Sequence, residues 1–378
     1  MPEEEPGVVP EIAKKLGEVL PSRGRVYIIP HNYPDPDALA SAAGIHLLLS
    51  RQFRLNGQIL FSGTVSRSEN RELLRQFRYK WGLSSQESRP SRPVPCILVD
   101  TSPWSGNVTI PEFARPVAVI DHHQLRRRSK SGDSLFADIR SGTGATCTMV
   151  HEYLEACAVS VPKWLATIMA YAIATETLDL SRDCSEEDLS AYMTLLNGAN
   201  LANLGRIRHA PLPRSYYANL QEAMQNAYVY GRVAWTYLSC VRQPEIVAEV
   251  ADLLHRMERV TWAFCLAHSN GRLLVSLRSS DPRARCGWLL RAHLGPHGSA
   301  GGHHHMAAGY IPLDGEASGD AESVSQALIR ALVSAIEIRG PGPSGRPRAG
   351  DGEPIAAQRL VDLAEPPPDG EDRLTASS

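Results

Sequence analysis

The chain has 378 residues, enough for two domains of ordinary size, and its 43% of hydrophobic residues excludes wholesale disorder. A formal net charge of −2 excludes a global basic surface for long nucleic acid, while leaving room for a local anion site. The seven cysteines (96, 147, 157, 184, 240, 265, 286) are scattered, odd in number and never spaced CxxC, which argues for reduced thiols rather than a disulfide frame or zinc ribbon. The acidic start MPEEEPGVVP has no apolar centre, so it is not read as a secretory signal. No apolar run approaches the roughly 20 residues of a membrane helix. A cytoplasmic protein without membrane contact is expected.

Residues 1–22 read as an extension. Residues 25–30 are β-rich and end at Pro30, and DALASAAGIHLLLS follows with an apolar face at helical spacing. GQILFS reads as a strand and SENRELLRQFRYKWG as a helix with Ser68 as its cap. PCILVD and PVAVID are buried strands ending at Asp100 and Asp121. Strands alternating with helices predict an α/β fold with a mainly parallel sheet and helices on both faces. From about 143 to 228 the pattern is helical, and from 229 strands and helices alternate again, which predicts a second, smaller α/β domain. The expected divisions are 23–200, a helical linker at 201–228, a second domain at 229–340, and a Pro-, Gly- and charge-rich disordered tail at 341–378.

His31, Asp35, Asp37, Asp100, Asp121, His122 and His123 all fall just past predicted strand ends, where ligands gather in such sheets. A lone aspartate there is commonly a cap or turn residue, and Asp35 before PDALA suits that role. The set together asks for more. Crowded carboxylates need a positive partner, and carboxylate with imidazole suits a divalent first-row ion such as Mn²⁺. The donors exceed what one ion requires, which points to a metal pair about 3.5–4 Å apart that activates water for displacement at phosphorus.

HNYPDPDALASA, LVDTSP, VIDHHQ and ATETLDLSR, in that order, resemble the four motifs of the DHH phosphoesterase family, and GSAGGHHHMAAG resembles the glycine-histidine motif of the DHH-associated domain. The resemblance spans roughly residues 25–312 and is greatest to the bacterial nanoRNase and 3′-phosphoadenosine-5′-phosphate (pAp) phosphatase group; the extra length of RecJ-type exonucleases is not expected. It implies that His31 and Asp35 hold one metal ion, that Asp37, His122 and the fourth-motif acid hold another, and that Asp100 bridges them. It implies further that His123 contacts the scissile phosphate and that Asp121 orients the histidines. The family has Asp where this chain has Glu176, with Asp179 as a substitute.

In the second domain, Gly301 and Gly302 let a ligand approach the backbone, whose N–H groups can cradle an anion. The resemblance gives this loop the substrate's terminal phosphate or nucleotide, with His303 first and His304 second in order, and gives Arg278 a bidentate phosphate contact. The basic run QLRRRSK reads as a solvated loop or as a guide for anions. The expected activity is hydrolysis of short oligoribonucleotides to 5′-mononucleotides in a cleft between two domains, with pAp 3′-phosphatase as a further activity. The expected partners are short oligoribonucleotides, dinucleotides and pAp, and a homodimer is left open. The alternatives are a cyclic or linear dinucleotide phosphodiesterase, and a nucleotide-binding protein whose metal site Glu176 has degraded.

Overall fold

The computed structural model describes residues 11–123, 135–294, 298–302, 304–313, 321–337 and 357–362. The chain divides into two compact units, Met1–Pro211 and Leu212–Ser378.

The first unit contains α1 (Glu11–Val19), β1 (Arg25–Pro30), α2 (Pro36–Gln52), β2 (Asn56–Phe61), α3 (Ser68–Arg75), β3 (Trp81–Leu83), β4 (Val94–Val99), β5 (Ala114–Asp121), β6 (Phe136–Ile139), α4 (Thr146–Ala156), α5 (Lys163–Glu176), α6 (Glu186–Gly198) and α7 (Leu201–Arg208). Its six strands pair in the order β3-β2-β1-β4-β5-β6, all parallel. The order reverses between β1 and β4. Chains leaving those two strands diverge, which opens a crevice at their carboxyl ends.

Alternation along the strands separates two apolar clusters. Val26 and Ile28 face one packed by α2, α4 and α5, through residues such as Leu39, Val150 and Met169. Tyr27 and Ile29 face the other, which no helix covers among the described residues; Val108, Ile110 and Phe113 of the β4–β5 connection pack there instead. The expectation of helices on both faces is therefore corrected. The connection from β4 to β5 is an irregular loop, so it supplies no crossover helix to cover that face.

Three other readings change. The helix expected over 68–82 ends at Arg75, Ser68 is its first residue rather than its cap, and Trp81–Leu83 pairs with Ile59–Phe61 as a strand, with Trp81 stacked on Phe61 at 5.2 Å between ring centroids. Strand pairing overrides the helical pattern there. Within the stretch read as an extension, α1 is part of the fold, since its Leu16 is fully buried in the main core. The stretch read as a linker is shared, with α7 in the first unit and α8 in the second.

The second unit contains α8 (Arg214–Gln225), β7 (Tyr228–Tyr230), β8 (Val233–Leu238), α9 (Ile246–His255), β9 (Trp262–Ser269), β10 (Arg272–Ser279), α10 (Cys286–Leu294), β11 (Ser299–Gly302), β12 (Met306–Pro312), α11 (Ala321–Glu337) and β13 (Gln358–Arg359). The sheet order is β11-β12-β10-β9-β8-β7-β13, and only β8 and β9 pair parallel. The β9–β10 turn is built by Asn270 (φ +48) and Gly271 (φ +71), the pair that a tight hairpin of the right twist demands. α10 and α11 cover one face, and α8 and α9 the other. Within the tail expected to be disordered, Gln358–Arg359 pairs with Tyr228–Val229, because ladder bonds offset the ordering cost that composition alone predicts to win. The loop read around Gly301 and Gly302 is a β-hairpin arm.

Candidate active site

β1 and β4, the two strands flanking the reversal, deliver the central carboxylates. The loop after β1 carries His31, Asp35 and Asp37. Asp35 caps α2, accepting the Ala38 N–H at 2.9 Å through Oδ1. Cap and donor are not exclusive, because its Oδ2 lies 3.6 Å from His31 Nε2. Asp100 directly follows β4 in the left-handed region (φ +58), which aspartate tolerates better than most residues. Its buried carboxylate is shared: Oδ2 lies 3.5 Å from His31 Nε2, while Oδ1 lies 3.6 Å from His122 Nε2 and 3.5 Å from His123 Nδ1.

These separations are too long for good hydrogen bonds, and they suit donors facing a common cation. His31, Asp35 and Asp100 form one group of ligand atoms within 4.8 Å of one another, and Asp100, His122 and His123 form a second. The tautomers agree. His31 Nδ1 meets the Asn32 carbonyl at 2.9 Å and His122 Nδ1 meets the Thr143 carbonyl at 3.1 Å. A carbonyl only accepts, so each Nδ1 carries its proton and the neutral ring offers Nε2 as a lone pair. His122 Nε2 is buried without a hydrogen-bond partner. A buried orphan of that kind is costly unless something binds it. The residues fit divalent ions.

The remaining sequence-derived residues sit as follows. Asp37 is buried, with Oδ2 4.0 Å from His122 Nε2, and both its oxygens accept backbone N–H groups at 2.8 Å, from Thr146 and Cys147 at the start of α4. Asp121 accepts from His123 Nδ1 at 2.9 Å and from its backbone N–H at 3.1 Å. Glu176 ends α5 within electrostatic reach of Asp35, Asp37, Asp100 and His122. Asp179 does not join them; its carboxylate is 81% exposed and pairs with Arg208. In the second unit, Arg278 gives Nε and one terminal nitrogen to Asp252 and the other to Ser276 Oγ and the Leu277 carbonyl, so its fork is already filled. Gly302 (φ +141) is required by packing, since a Cβ there would lie 2.4 Å from the Met306 carbonyl oxygen, whereas Gly301 has open space. His304 is exposed, with Nδ1 3.4 Å from the Ala284 carbonyl. His303 and QLRRRSK lie outside the described residues.

Sequence reasoning missed the start of α4. Thr146 is fully buried, donates its hydroxyl to Asp100 Oδ1 at 2.8 Å and its N–H to Asp37. The GTGAT stretch that ends at Thr146 is the available signal, and it reads only as the opening of a helix.

Burial and mutual proximity shift the titration of the clustered acids and histidines in the absence of a cation. Burial alone would lower the His31 pKa, but Asp35 and Asp100 raise it well above its ordinary value. Burial opposes ionisation of Asp35, yet His31 and the Ala38 N–H bring it down to about 2. Burial, then repulsion from Asp100 and Asp35, raises Asp37 well above the carboxylate range. Burial and the same neighbours push Glu176 up to about 8. Burial opposes the charge on His123, but Asp121 and Asp100 lift it to about 9.

Residues 25–173 match the model of the DHH family, N-terminal domain, and residues 231–335 match that of the DHHA1 domain. The chain thus carries a DHH-family N-terminal domain followed by a DHHA1 domain. An uncharacterized protein of Methanocaldococcus jannaschii is 26% identical to this DHH protein over 76% of the chain and 58% of the relative. A probable manganese-dependent inorganic pyrophosphatase of Brevibacillus brevis is 29% identical over 47% of the chain and 57% of the relative. The DHH chain thus spans 56–58% of the length of the curated relatives it matches. The solved exopolyphosphatase-related protein from Bacteroides fragilis shares the fold, with a TM-score of 0.64 at 16% identity, over 83% of this chain and 93% of that one. Among the described residues no helix is long and apolar enough to cross a membrane.

Proposed function

We propose that this DHH protein is a metal-dependent phosphoesterase that hydrolyses short oligoribonucleotides to 5′-mononucleotides and acts on pAp as a second substrate. The observation that carries the reading is the pair of donor groups sharing Asp100, with the buried, unpartnered His122 Nε2 between carboxylates. His31, Asp35 and Asp100 would hold one divalent ion, and Asp100, His122, Asp37 and Glu176 the other, with Mn²⁺ favoured by the mixed carboxylate and imidazole set and by the manganese-dependent relative. Such a pair, when bound, neutralises phosphate charge and lowers the pKa of water. The chain's own residues do the rest. Asp121 fixes the His123 ring through Nδ1, which leaves Nε2 for a phosphoryl oxygen. Asn32 and Thr143 fix the other two imidazoles, and Thr146 with Cys147 holds the carboxylates at one geometry, so little reorganisation is needed when substrate arrives.

The test is product analysis on 5′-labelled RNA dimers to pentamers with Mn²⁺, after chelation, and in Asp100→Ala. Mononucleotide release that is fastest on the shortest substrate, and lost in both controls, is the expected result. Full activity in Asp100→Ala would remove the reading. Inorganic pyrophosphate belongs in the same assay, because a curated relative is described as a pyrophosphatase. Faster cleavage of pyrophosphate than of any dinucleotide would move the substrate class to phosphoanhydrides.

A further inference from the structure

Tyr33 stands between His31 and Asp35, yet it takes no part in the donor groups. Its φ is +56, a region that aromatic residues rarely adopt. The loop is held there from two sides. Asn32 N–H donates to the Asn107 carbonyl at 2.8 Å, and the Asn32 side chain exchanges two 3.0 Å bonds with Thr109. On the other side Tyr33 N–H donates to the Ser62 carbonyl at 2.8 Å. The ring lies against Gly63, itself at φ +88, so closely that a Cβ on that glycine would sit 2.7–2.8 Å from ring carbons. Strained backbone persists only where its surroundings over-determine it, and it gathers at functional sites.

That strain gains no burial in return, because Tyr33 remains 59% exposed. Asparagine or glycine would make the same turn without strain. The chain instead keeps a broad, outward ring, backed by glycine. Consecutive Cα atoms are about 3.8 Å apart, so the Tyr33 Cα lies no more than about 7.6 Å from those of His31 and Asp35. An exposed aromatic side chain rooted that near a phosphate-cleaving centre suits the base of a nucleotide whose phosphate is held there.

We propose that Tyr33 is a stacking platform for a nucleobase of the substrate. This rests on the phosphoesterase reading and narrows it, since inorganic pyrophosphate and polyphosphate have nothing to place on the ring.

The probes are AMP and ribose 5-phosphate, which share a phosphate and a sugar and differ in the base. Their affinities for the Mn²⁺-loaded full chain are measured by calorimetry, so the result does not depend on turnover. Base stacking predicts that wild type binds AMP roughly 5- to 150-fold more tightly than ribose 5-phosphate. The gap should close to about one in Tyr33→Asn, which accepts this φ, and persist in Tyr33→Phe. Tyr33→Gly, also free of strain, should repeat the Asn result, and the thermal midpoints of both should be no lower than wild type. Equal affinities in wild type, or an undiminished gap in Tyr33→Asn, would overturn the assignment. A chain that shows the gap but cleaves no dinucleotide would keep the base site and lose the phosphoesterase reading alone.

Discussion

Thr146→Val isolates one hydrogen bond at the centre of the site. Valine preserves the volume and the backbone N–H to Asp37, and removes only the hydroxyl that donates to Asp100 Oδ1 at 2.8 Å. A fully buried hydroxyl bonded to a carboxylate is worth about 1.5–3 kcal/mol. For a unit of this size each kcal/mol moves the midpoint by about 2–4 °C, so the metal-free variant should melt roughly 3–12 °C lower. The larger effect should fall on the metal. Losing a group that orients a ligand typically weakens metal binding about 10- to 100-fold. Mn²⁺ titration of the rate on an RNA dimer should therefore show a raised half-saturation concentration, with much of the maximal rate recovered at high Mn²⁺. A lowered melting point with an unchanged Mn²⁺ curve would refute the argument, because Thr146 would then serve the fold and not the site.

Metal uptake should release protons. His31 is raised well above its ordinary value and Glu176 to about 8 in the metal-free protein, so near neutrality they hold protons that a cation must displace. Affinity then rises with pH, about tenfold per unit for each proton released, and acidification of a weakly buffered solution on adding Mn²⁺ measures the number. Asp188→Ala should destabilise the chain by about 3–5 kcal/mol in urea, because its fully buried carboxylate accepts from Gly144 N, Thr148 Oγ1 and both Ser185 N and Oγ. Gly287→Ala would place a Cβ 2.4 Å from the Gly302 carbonyl oxygen, so it should cost about 1–3 kcal/mol and increase hydrogen exchange in β11. Asp252→Ala should change stability by no more than about 1 kcal/mol, since that carboxylate is 57% exposed, and should open the Arg278 fork to inorganic phosphate, read by calorimetry. Weaker phosphate binding would mean that Asp252 aims the guanidinium instead.

Much of this architecture was legible because short buried strands run directly into acidic residues or histidines. RVYIIP, PCILVD and PVAVID carry the alternation of apolar runs and acids directly, and Asp100 and Asp121 fall where the motif spacing puts them. What stayed hidden depends on distant partners. Trp81–Leu83 is a strand only because β2 lies beside it, and Thr146 matters only because α4 begins against Asp37 and Asp100. The Arg278 residue was read as a free anion site, since nothing in LLVSLR reveals that Asp252 on α9 fills its fork. ATETLDLSR offers Glu176 as the fourth-motif acid and Asp179 only as its substitute. Residues Leu178, Asp179 and Leu180 all adopt positive φ, and this turn carries Asp179 out to Arg208.

The pairing of Gln358–Arg359 with Tyr228–Val229 bears on how the chain tolerates shortening. Without it, β7 would present unpaired backbone groups along the rim of the remaining six-stranded sheet. Exposed rims of that kind recruit strands from other molecules. A chain cut after Glu337 would keep both helical layers of the second unit and lose this cover. It should therefore self-associate at concentrations where the full chain stays dispersed, so residues that composition marks as expendable guard the sheet against aggregation.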